Sequence, residues 1–369
     1  MLGRVGHLVV KEMLALLRDP RSRIVVTLPP LVQTLIFGYA ATFDLDNVRY
    51  ALLDRDGGPA ARALAAEVAG SPTFQRAAVI HDLGTARRLI DAGQVLLVVH
   101  IDPRFSRELE AGRPASVQVL LDGRNSNTAL TALRYVREIV TGFGVRWAAE
   151  QGLPQPPARL VARAWFNPNL ESRWFIVPGI VGLLTQVVVL LVTALSVARE
   201  REEGTFDQLL VTPLRPVEIL LGKALPGLLV GLAEGTLIVL LATLWFQVPL
   251  VGSLLTLYAG LTLFLLAAVG VGLAISSLAV TMQQGLLGAF LYMVPSIILS
   301  GFATPIANMP EPVQWLTYAN PLRYFLVILR GVFLKGNGLA ELWPQLWPLV
   351  LIALVSLSAA TVLFRARMR

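Results

Sequence analysis

Residues 224–246 read A-L-P-G-L-L-V-G-L-A-E-G-T-L-I-V-L-L-A-T-L-W-F, and residues 254–280 read L-L-T-L-Y-A-G-L-T-L-F-L-L-A-A-V-G-V-G-L-A-I-S-S-L-A-V. The first carries one charge, Glu234, and the second none; from Ala224 to Pro310 Glu234 is the only charged residue. A soluble fold does not normally tolerate so long a segment without charge, because its surface must be solvated. At a rise of about 1.5 Å per residue, each stretch is long enough to cross a hydrocarbon core of about 30 Å. These segments set the fold class as an α-helical polytopic membrane protein.

Further uncharged runs flank this core, at Ile24–Thr42, Trp174–Ala198, Gln284–Phe302 and Trp343–Phe364, so that six spans are expected. The whole chain agrees: 369 residues, 55% hydrophobic and 15% charged, with mean hydropathy +0.65. Its net charge of +7 comes from basic residues scattered singly, which suits a bilayer partner and not nucleic acid. Cysteine is absent, which excludes thiolate chemistry and disulfides, and His7, His81 and His100 match no metal-ligand spacing. The first run follows some twenty polar and basic residues and is expected to be a retained span, not a cleaved leader.

Three regions are expected. Residues 1–42 hold an amphipathic interfacial helix and the first span, residues 43–173 an inserted α/β domain between spans one and two, and residues 174–369 the other five spans. In the inserted domain arginines nearly balance acidic residues and lysine is absent. Strand-like runs at Val48–Leu53, Val95–Ile101 and Val117–Leu121 alternate with helical patterns at Ala60–Val68, Thr85–Asp91 and Asn127–Glu150, and a last strand is expected near Arg159–Phe166. Asp54-Arg55-Asp56 follows the first strand and is read as a turn.

Basic flanks give the orientation. Arg4, Lys11, Arg18, Arg21 and Arg23 precede span one, Arg199, Arg201, Arg215 and Lys223 lie between spans two and three, and Arg365, Arg367 and Arg369 close the chain. The excess of positive charge inside places both termini in the cytoplasm and the inserted domain outside; Arg323, Arg330 and Lys335 fall on the outer side, against the rule. In the first segment Val5, Leu8, Val9, Met13, Leu16 and Leu17 share one helical face, while Arg4, Lys11 and Arg18 recur every seven residues on another. Such a helix lies in the interface, or serves only as a topological anchor.

The loop over 199–223 reads R-E-R-E-E-G-T-F-D-Q-L-L-V-T-P-L-R-P-V-E-I-L-L-G-K. Gly204 and Thr205 suit a break and a fresh helix start, Phe206, Leu209 and Leu210 an apolar edge, Asp207 an early acidic position, and Pro213 an end. Apolar and acidic side chains flanked by arginine form a surface on which a partner protein can dock; a solvated loop is the plainer reading. The string resembles the signature E-x-E-x-G-T-x-x-x-L-L-x-[ST]-P of type-2 ABC transporter permeases, where it meets the ATP-binding subunit. L-L-R-D-P-R-S-R before the first run, and M-P-E-P-V-Q-W-L-T-Y-A-N-P-L-R-Y-F-L-V-I-L-R at 309–330, are similar to other parts of the same family, and a large external domain is similar to its drug-exporter branch.

The resemblance implies a permease subunit in the bacterial cytoplasmic (inner) membrane, paired with a second copy or a paralogue. It would bind no cofactor itself, with ATP and Mg²⁺ on a separate ATPase, and would export hydrophobic drugs or lipid-like molecules. Coupling would fall to Glu200, Glu202, Glu203, Gly204, Thr205, Phe206, Asp207, Leu209, Leu210 and Pro213. No G-x-x-x-x-G-K-[ST] occurs, consistent with ATP hydrolysis elsewhere.

Residues 303–330 form an expected outer re-entrant region. Pro310 and Pro321 interrupt any helix, Trp315, Tyr318 and Tyr324 suit an interface, and Asn320 lies at the break. Ala268, Gly272 and Ser276, and likewise Gly270 and Ala274, repeat at four-residue spacing and suit close helix packing. Glu234, near mid-membrane, costs about 2.5–3.5 kcal/mol on insertion scales. It either lines a transport path for cations or hydrogen-bonds to a neighbour such as Gln186 or Thr185. Two rival classes remain, a membrane-anchored receptor or assembly factor and an ion-driven carrier. Five spans after the domain exceed what anchoring needs, and a carrier predicts repeats and several intramembrane charges that are not evident.

Overall fold

The uncharged stretches form helices, because a backbone in hydrocarbon must satisfy its own hydrogen bonds. A computed structural model of the chain describes residues 2–18, 20–40, 45–152, 165–169, 171–206 and 215–367. The chain divides into two units, one of Met1–Ala41 with Ala164–Arg369 and the other of Thr42–Arg163.

The first unit is helical. It contains α1 (Leu2–Arg18) and α2 (Pro20–Ala40). In chain order, α3 to α6 belong to the other unit, and this one continues with α7 (Ser172–Glu202), α8 (Pro216–Leu240), α9 (Leu254–Leu278) and α10 (Met282–Ile298). The last three are α11 (Glu311–Thr317), α12 (Pro321–Arg330) and α13 (Leu339–Arg367). A π-turn, Leu241–Trp245, extends α8, and another, Gly331–Lys335, follows α12. Among the described residues four helices are long and apolar enough to cross a membrane: α7, α8 with its π-turn, α9 and α13. α10, with 17 residues or about 25 Å of rise, is a shorter apolar helix, and α2 is not among the four.

α9 packs between α7 and α13, and its small residues explain why. Gly272 leaves room for Thr193 of α7, and Ser276 Oγ accepts the N–H groups of Val197 and Ala198 at 2.9 and 3.1 Å. On the opposite side Gly270 abuts Ser356, whose hydroxyl donates to the Ala267 carbonyl at 3.2 Å. α8 meets α7 and α9 in the same way, with Gly227 against Thr193, Gly231 against Val189 and Gly235 against Leu261. Backbones approach where side chains are missing, so dispersion contacts replace the hydrophobic drive that lipid cannot supply.

The second unit holds β1 (Val48–Asp54), α3 (Pro59–Gly70), β2 (Phe74–Val79), α4 (Leu83–Asp91), β3 (Leu97–Ile101), α5 (Phe105–Glu110), β4 (Val117–Leu121) and α6 (Ser126–Glu150). The sheet order is β2-β1-β3-β4, with β1 parallel to β2 and β3 and β4 antiparallel to β3. Tyr50, Leu52, Leu97 and Val99 join α3 and α6 in one core layer, and Ala51, Leu53 and Val98 join α4 in another. β2 and α5 were not among the sequence-derived elements, since β2 is an edge strand carrying Gln75 and Arg76 and α5 is short and charged. The strand expected near Arg159–Phe166 falls mostly on residues 153–164, outside those described; Trp165 and Phe166 form a bend, with Phe166 at φ 68°. Asp54 Oδ1 accepts the N–H groups of Asp56 and Gly57, both at 2.9 Å, so the Asp-Arg-Asp segment closes a turn.

Asp82 caps α4, taking the Thr85 N–H at 2.8 Å and the Thr85 hydroxyl at 2.7 Å. The Thr85 hydroxyl, and then its N–H, hold this carboxyl below its usual range. A depressed folded value means that the cap stabilises above the unfolded value of about 4 and is lost as pH falls through the folded one. Amide exchange in α4 should therefore lose protection on acidification in the wild type, whereas Asp82→Asn, a neutral cap, should keep a pH-independent level; identical pH profiles would refute the assignment.

Candidate functional site

The last turn of α7 ends in a glycine-dependent cap. Gly204 adopts φ 71°, its N–H donates to the Arg201 carbonyl at 3.2 Å, and the Thr205 N–H donates to the Glu200 carbonyl at 2.9 Å. This paired arrangement satisfies carbonyls that the helix end would otherwise orphan, and a left-handed residue there favours glycine. It also turns the chain sharply, so that the side chains just before and after it reach different helices.

Glu200 points into a buried ion cluster. Its Oε1 lies 3.1 Å from Lys223 Nζ and 3.5 Å from Lys11 Nζ, and Lys223 Nζ also donates to Glu12 Oε1 and the Ser196 carbonyl, each at 3.3 Å. The Lys223 side chain has no solvent exposure. Two lysines and two glutamates sum to zero charge, which is what allows an ammonium to be buried here. Beside the cluster, a side chain at Gly222 would overlap Leu8, so α1 packs directly on α8.

The next residues reach elsewhere. Arg201 Nη1 donates to the carbonyls of Ser277 and Ala279 at 2.9 and 3.0 Å, capping the end of α9. Glu202 Oε2 accepts the Met282 N–H at 2.6 Å, capping the start of α10. Phe206 is buried, stands edge-on to Phe364 of α13 with ring centroids 6.0 Å apart, and lies under the Arg201 guanidinium at 4.9 Å. Thr205 is half-buried, and Glu203 faces solvent. Glu218 completes the far side of the loop by accepting the Arg215 N–H at 2.8 Å. The middle of α1, the second turn of α8, the end of α9, the start of α10 and the last turns of α13 thus all contact a single seven-residue stretch. Asp207, Leu209, Leu210 and Pro213 lie outside the described residues.

The other sequence-derived residues are not brought to this place. Glu234 is buried in the face of α8 that carries Gly231 and Gly235, and neither carboxyl oxygen has a hydrogen-bond partner. The partners expected for it are occupied elsewhere: Thr185 donates to the Val181 carbonyl at 2.6 Å, and Gln186 Nε2 donates to Ser296 Oγ at 2.9 Å. Ser296 Oγ in turn donates to Asn320 Oδ1 at 2.8 Å, and Asn320 Nδ2 returns to the Ser296 carbonyl at 2.7 Å. This buried network ties α7, α10 and the start of α12 together. Pro310 and Pro321 begin α11 and α12, Trp315 and Tyr318 are exposed, and the buried Tyr324 donates to the Tyr318 carbonyl at 2.9 Å. α12 runs antiparallel to α7, with Asn320 in the network of Gln186 and Arg330 over the ring of Phe175 at 3.9 Å.

Over residues 22–362 the chain matches the family described as ABC-2 family transporter protein. The chain belongs to the ABC-2 transporter family. It is 40% identical over 368 residues to the "Probable multidrug ABC transporter permease YbhR" of Escherichia coli (strain K12), covering all of both chains. It is 36% identical over 343 residues to the "Probable multidrug ABC transporter permease YbhS" of the same strain, covering 90% of this chain and 89% of the relative. To the "Inner membrane transport permease YhhJ", also of that strain, it is 31% identical over 280 residues, covering 75% and 74%. This ABC-2 permease is accordingly a multi-pass membrane subunit of a transporter and not itself the ATPase.

Lys11, Glu12, Ser296 and Lys223 were not singled out as site residues in the sequence. Glu12 and Lys223 are 211 residues apart, and nothing in either neighbourhood marks the pair. Removing one member of a buried cluster leaves an uncompensated charge, so Lys223→Met should cost about 3–5 kcal/mol. Lys11→Met, at a mostly exposed partner, should cost less than about 1 kcal/mol. Thermal unfolding of the purified variants in detergent reads the difference, and equal midpoints would remove the cluster from the account.

Proposed function

We propose that this ABC-2 permease is the membrane-spanning half of an ATP-driven exporter in a bacterial inner membrane. The observation that carries the reading is the contact of residues 200–206 with five other helices, on a segment whose sequence resembles the ATPase-docking loop of type-2 ABC permeases. In this reading α2 and α10 also cross the bilayer, making six spans, with both termini cytoplasmic and the 42–163 unit outside. α11 and α12 form a broken hairpin that enters from the outer side, with α12 packed against α7, α9 and α13. ATP and Mg²⁺ sit on a separate ATP-binding subunit, and a second copy or a paralogous permease completes the transporter.

The names of the YbhR and YbhS relatives describe multidrug permeases, and the apolar interior suits hydrophobic drugs or lipid-like molecules. Glu234 supplies the interior with an unpaired carboxyl, which suits a cationic group on such a substrate. Closure of the ATPases would press on the exposed Glu203 and the following loop, and residues 200–206 would pass that displacement to the helices they contact.

The direct test is purification of the tagged chain from its native membrane with mass spectrometry of what accompanies it. An ATP-binding cassette subunit is expected in the eluate, and a chain recovered alone from a membrane that expresses it well would count against the reading. Glu203→Lys should leave expression intact and reduce export by about tenfold or more, the scale of losing a charged contact worth about 1.4 kcal/mol or more. Glu234→Gln should weaken export of cationic substrates and spare neutral ones; equal loss of both would remove Glu234 from the path.

A further inference from the structure

α9 and α10 are joined by three residues, Ala279, Val280 and Thr281, and the end of α7 holds this turn in place. Arg201 Nη1 donates to the carbonyls of Ser277 and Ala279, and Glu202 Oε2 accepts the Met282 N–H. Two of the turn's own N–H groups are taken as well, Ala279 by the Ile275 carbonyl at 3.1 Å and Val280 by Gln284 Oε1 at 2.9 Å. With its backbone so bonded, the turn offers a partner its side chains. Leu278 is 49% and Val280 53% exposed; Gln283 and Gln284, which follow in the chain, and Glu203, next to Glu202, are exposed too.

Lysine, arginine, tryptophan and tyrosine are the side chains by which a loop holds to lipid headgroups. From Ile275 to Ala289 the sequence has none of them, and no charge at all. Neighbouring segments at this end of the unit do carry cations: Lys11 pairs with Glu200, and Arg365 and Arg367 follow Phe364, which meets Phe206. Arg201 and Glu202, both bonded to the turn, put it at a level where charge is tolerated, beyond the hydrocarbon. A small apolar tip there, rimmed by polar groups, has the composition of a protein contact and not of a lipid anchor.

We infer that the α9–α10 turn is a second contact for the ATP-binding subunit, with Leu278 and Val280 covered by an apolar surface of that subunit. The inference rests on the exporter reading and adds to it a surface outside the loop that resembles the docking segment. Arg201 and Glu202 fasten the turn to the root of that loop, so a subunit seated on Glu203 and the residues after it lies against the turn as well. Because the turn's backbone is already bonded within the chain, the contact orders little that is not ordered beforehand.

The test places the photo-crosslinker p-benzoylphenylalanine at Val280, at Glu203 or at Leu255, an exposed position at the other end of α9, in the full chain in its native membrane. Adducts formed on irradiation are identified by mass spectrometry. Positions 280 and 203 should each join a polypeptide that carries a G-x-x-x-x-G-K-[ST] peptide, and position 255 should not. Val280→Asp should lower the amount of that subunit retained by the tagged permease by about tenfold or more, and Val280→Leu should keep it. If Val280→Asp does not fold, the crosslinks decide. An adduct at 203 with only lipid or a second permease at 280, an equal adduct at 255, or full retention by a folded Val280→Asp would each overturn the inference and leave the exporter reading standing. No ATP-binding subunit joined at either position, and none co-purifying, would overturn both.

Discussion

The ammonium of Lys223, buried between Glu12 and Glu200, is the constraint on which the membrane unit is arranged. A lysine with no solvent exposure is tolerable only where counter-charges are fixed around it, and here they come from two different helices. That requirement pins α1 against the start of α8 and pins the end of α7 to both. With the end of α7 so placed, Arg201, Glu202 and Phe206 reach α9, α10 and α13.

Packing above this layer is of another kind. Within the spans, glycines and small polar residues let α7, α8, α9 and α13 approach, and hydroxyl groups donate mostly to carbonyls one turn back in their own helices. Such contacts are numerous, short-ranged and without charge, so they keep the helices together while permitting small shifts between them. Two charged groups depart from this division, Glu234 and Arg330, and both retain unpaired polar atoms.

The polytopic class and the family were legible in the sequence because they rest on local signals: uncharged runs of more than twenty residues, and one loop with a recognisable string of acidic, glycine and threonine residues. The long apolar helices lie where those runs lie. α2 and α10 were less plain, since arginines crowd the start of one and the other stops at Ile298, four residues short of the uncharged run's end. In the other unit β1, β3, β4, α3, α4 and α6 follow periodicity, whereas β2 has too few buried positions to show one. The loop's residues could be named, yet not their partners. Glu200 with Lys223, Glu202 with Met282 and Gln186 with Ser296 are joined across chain separations that no local pattern encodes. Glu234 shows the limit from the other side, because the neighbours that its sequence position pointed to bond elsewhere.

The central claim is that residues 200–206 pass motion from the loop to the helices they contact. Because the chain has no cysteine, single cysteines for spin labels can be placed cleanly, one at Glu203 and another at Leu291, an exposed position on α10. Distances from each label to a label at the matching position of the second permease in the proposed transporter, with and without trapped ATP, test the claim. The account predicts shifts at both positions in the native background, and with Glu202→Ala a shift that persists at 203 and shrinks at 291. No nucleotide-dependent change at 203, or a change at 291 indifferent to Glu202→Ala, would contradict it.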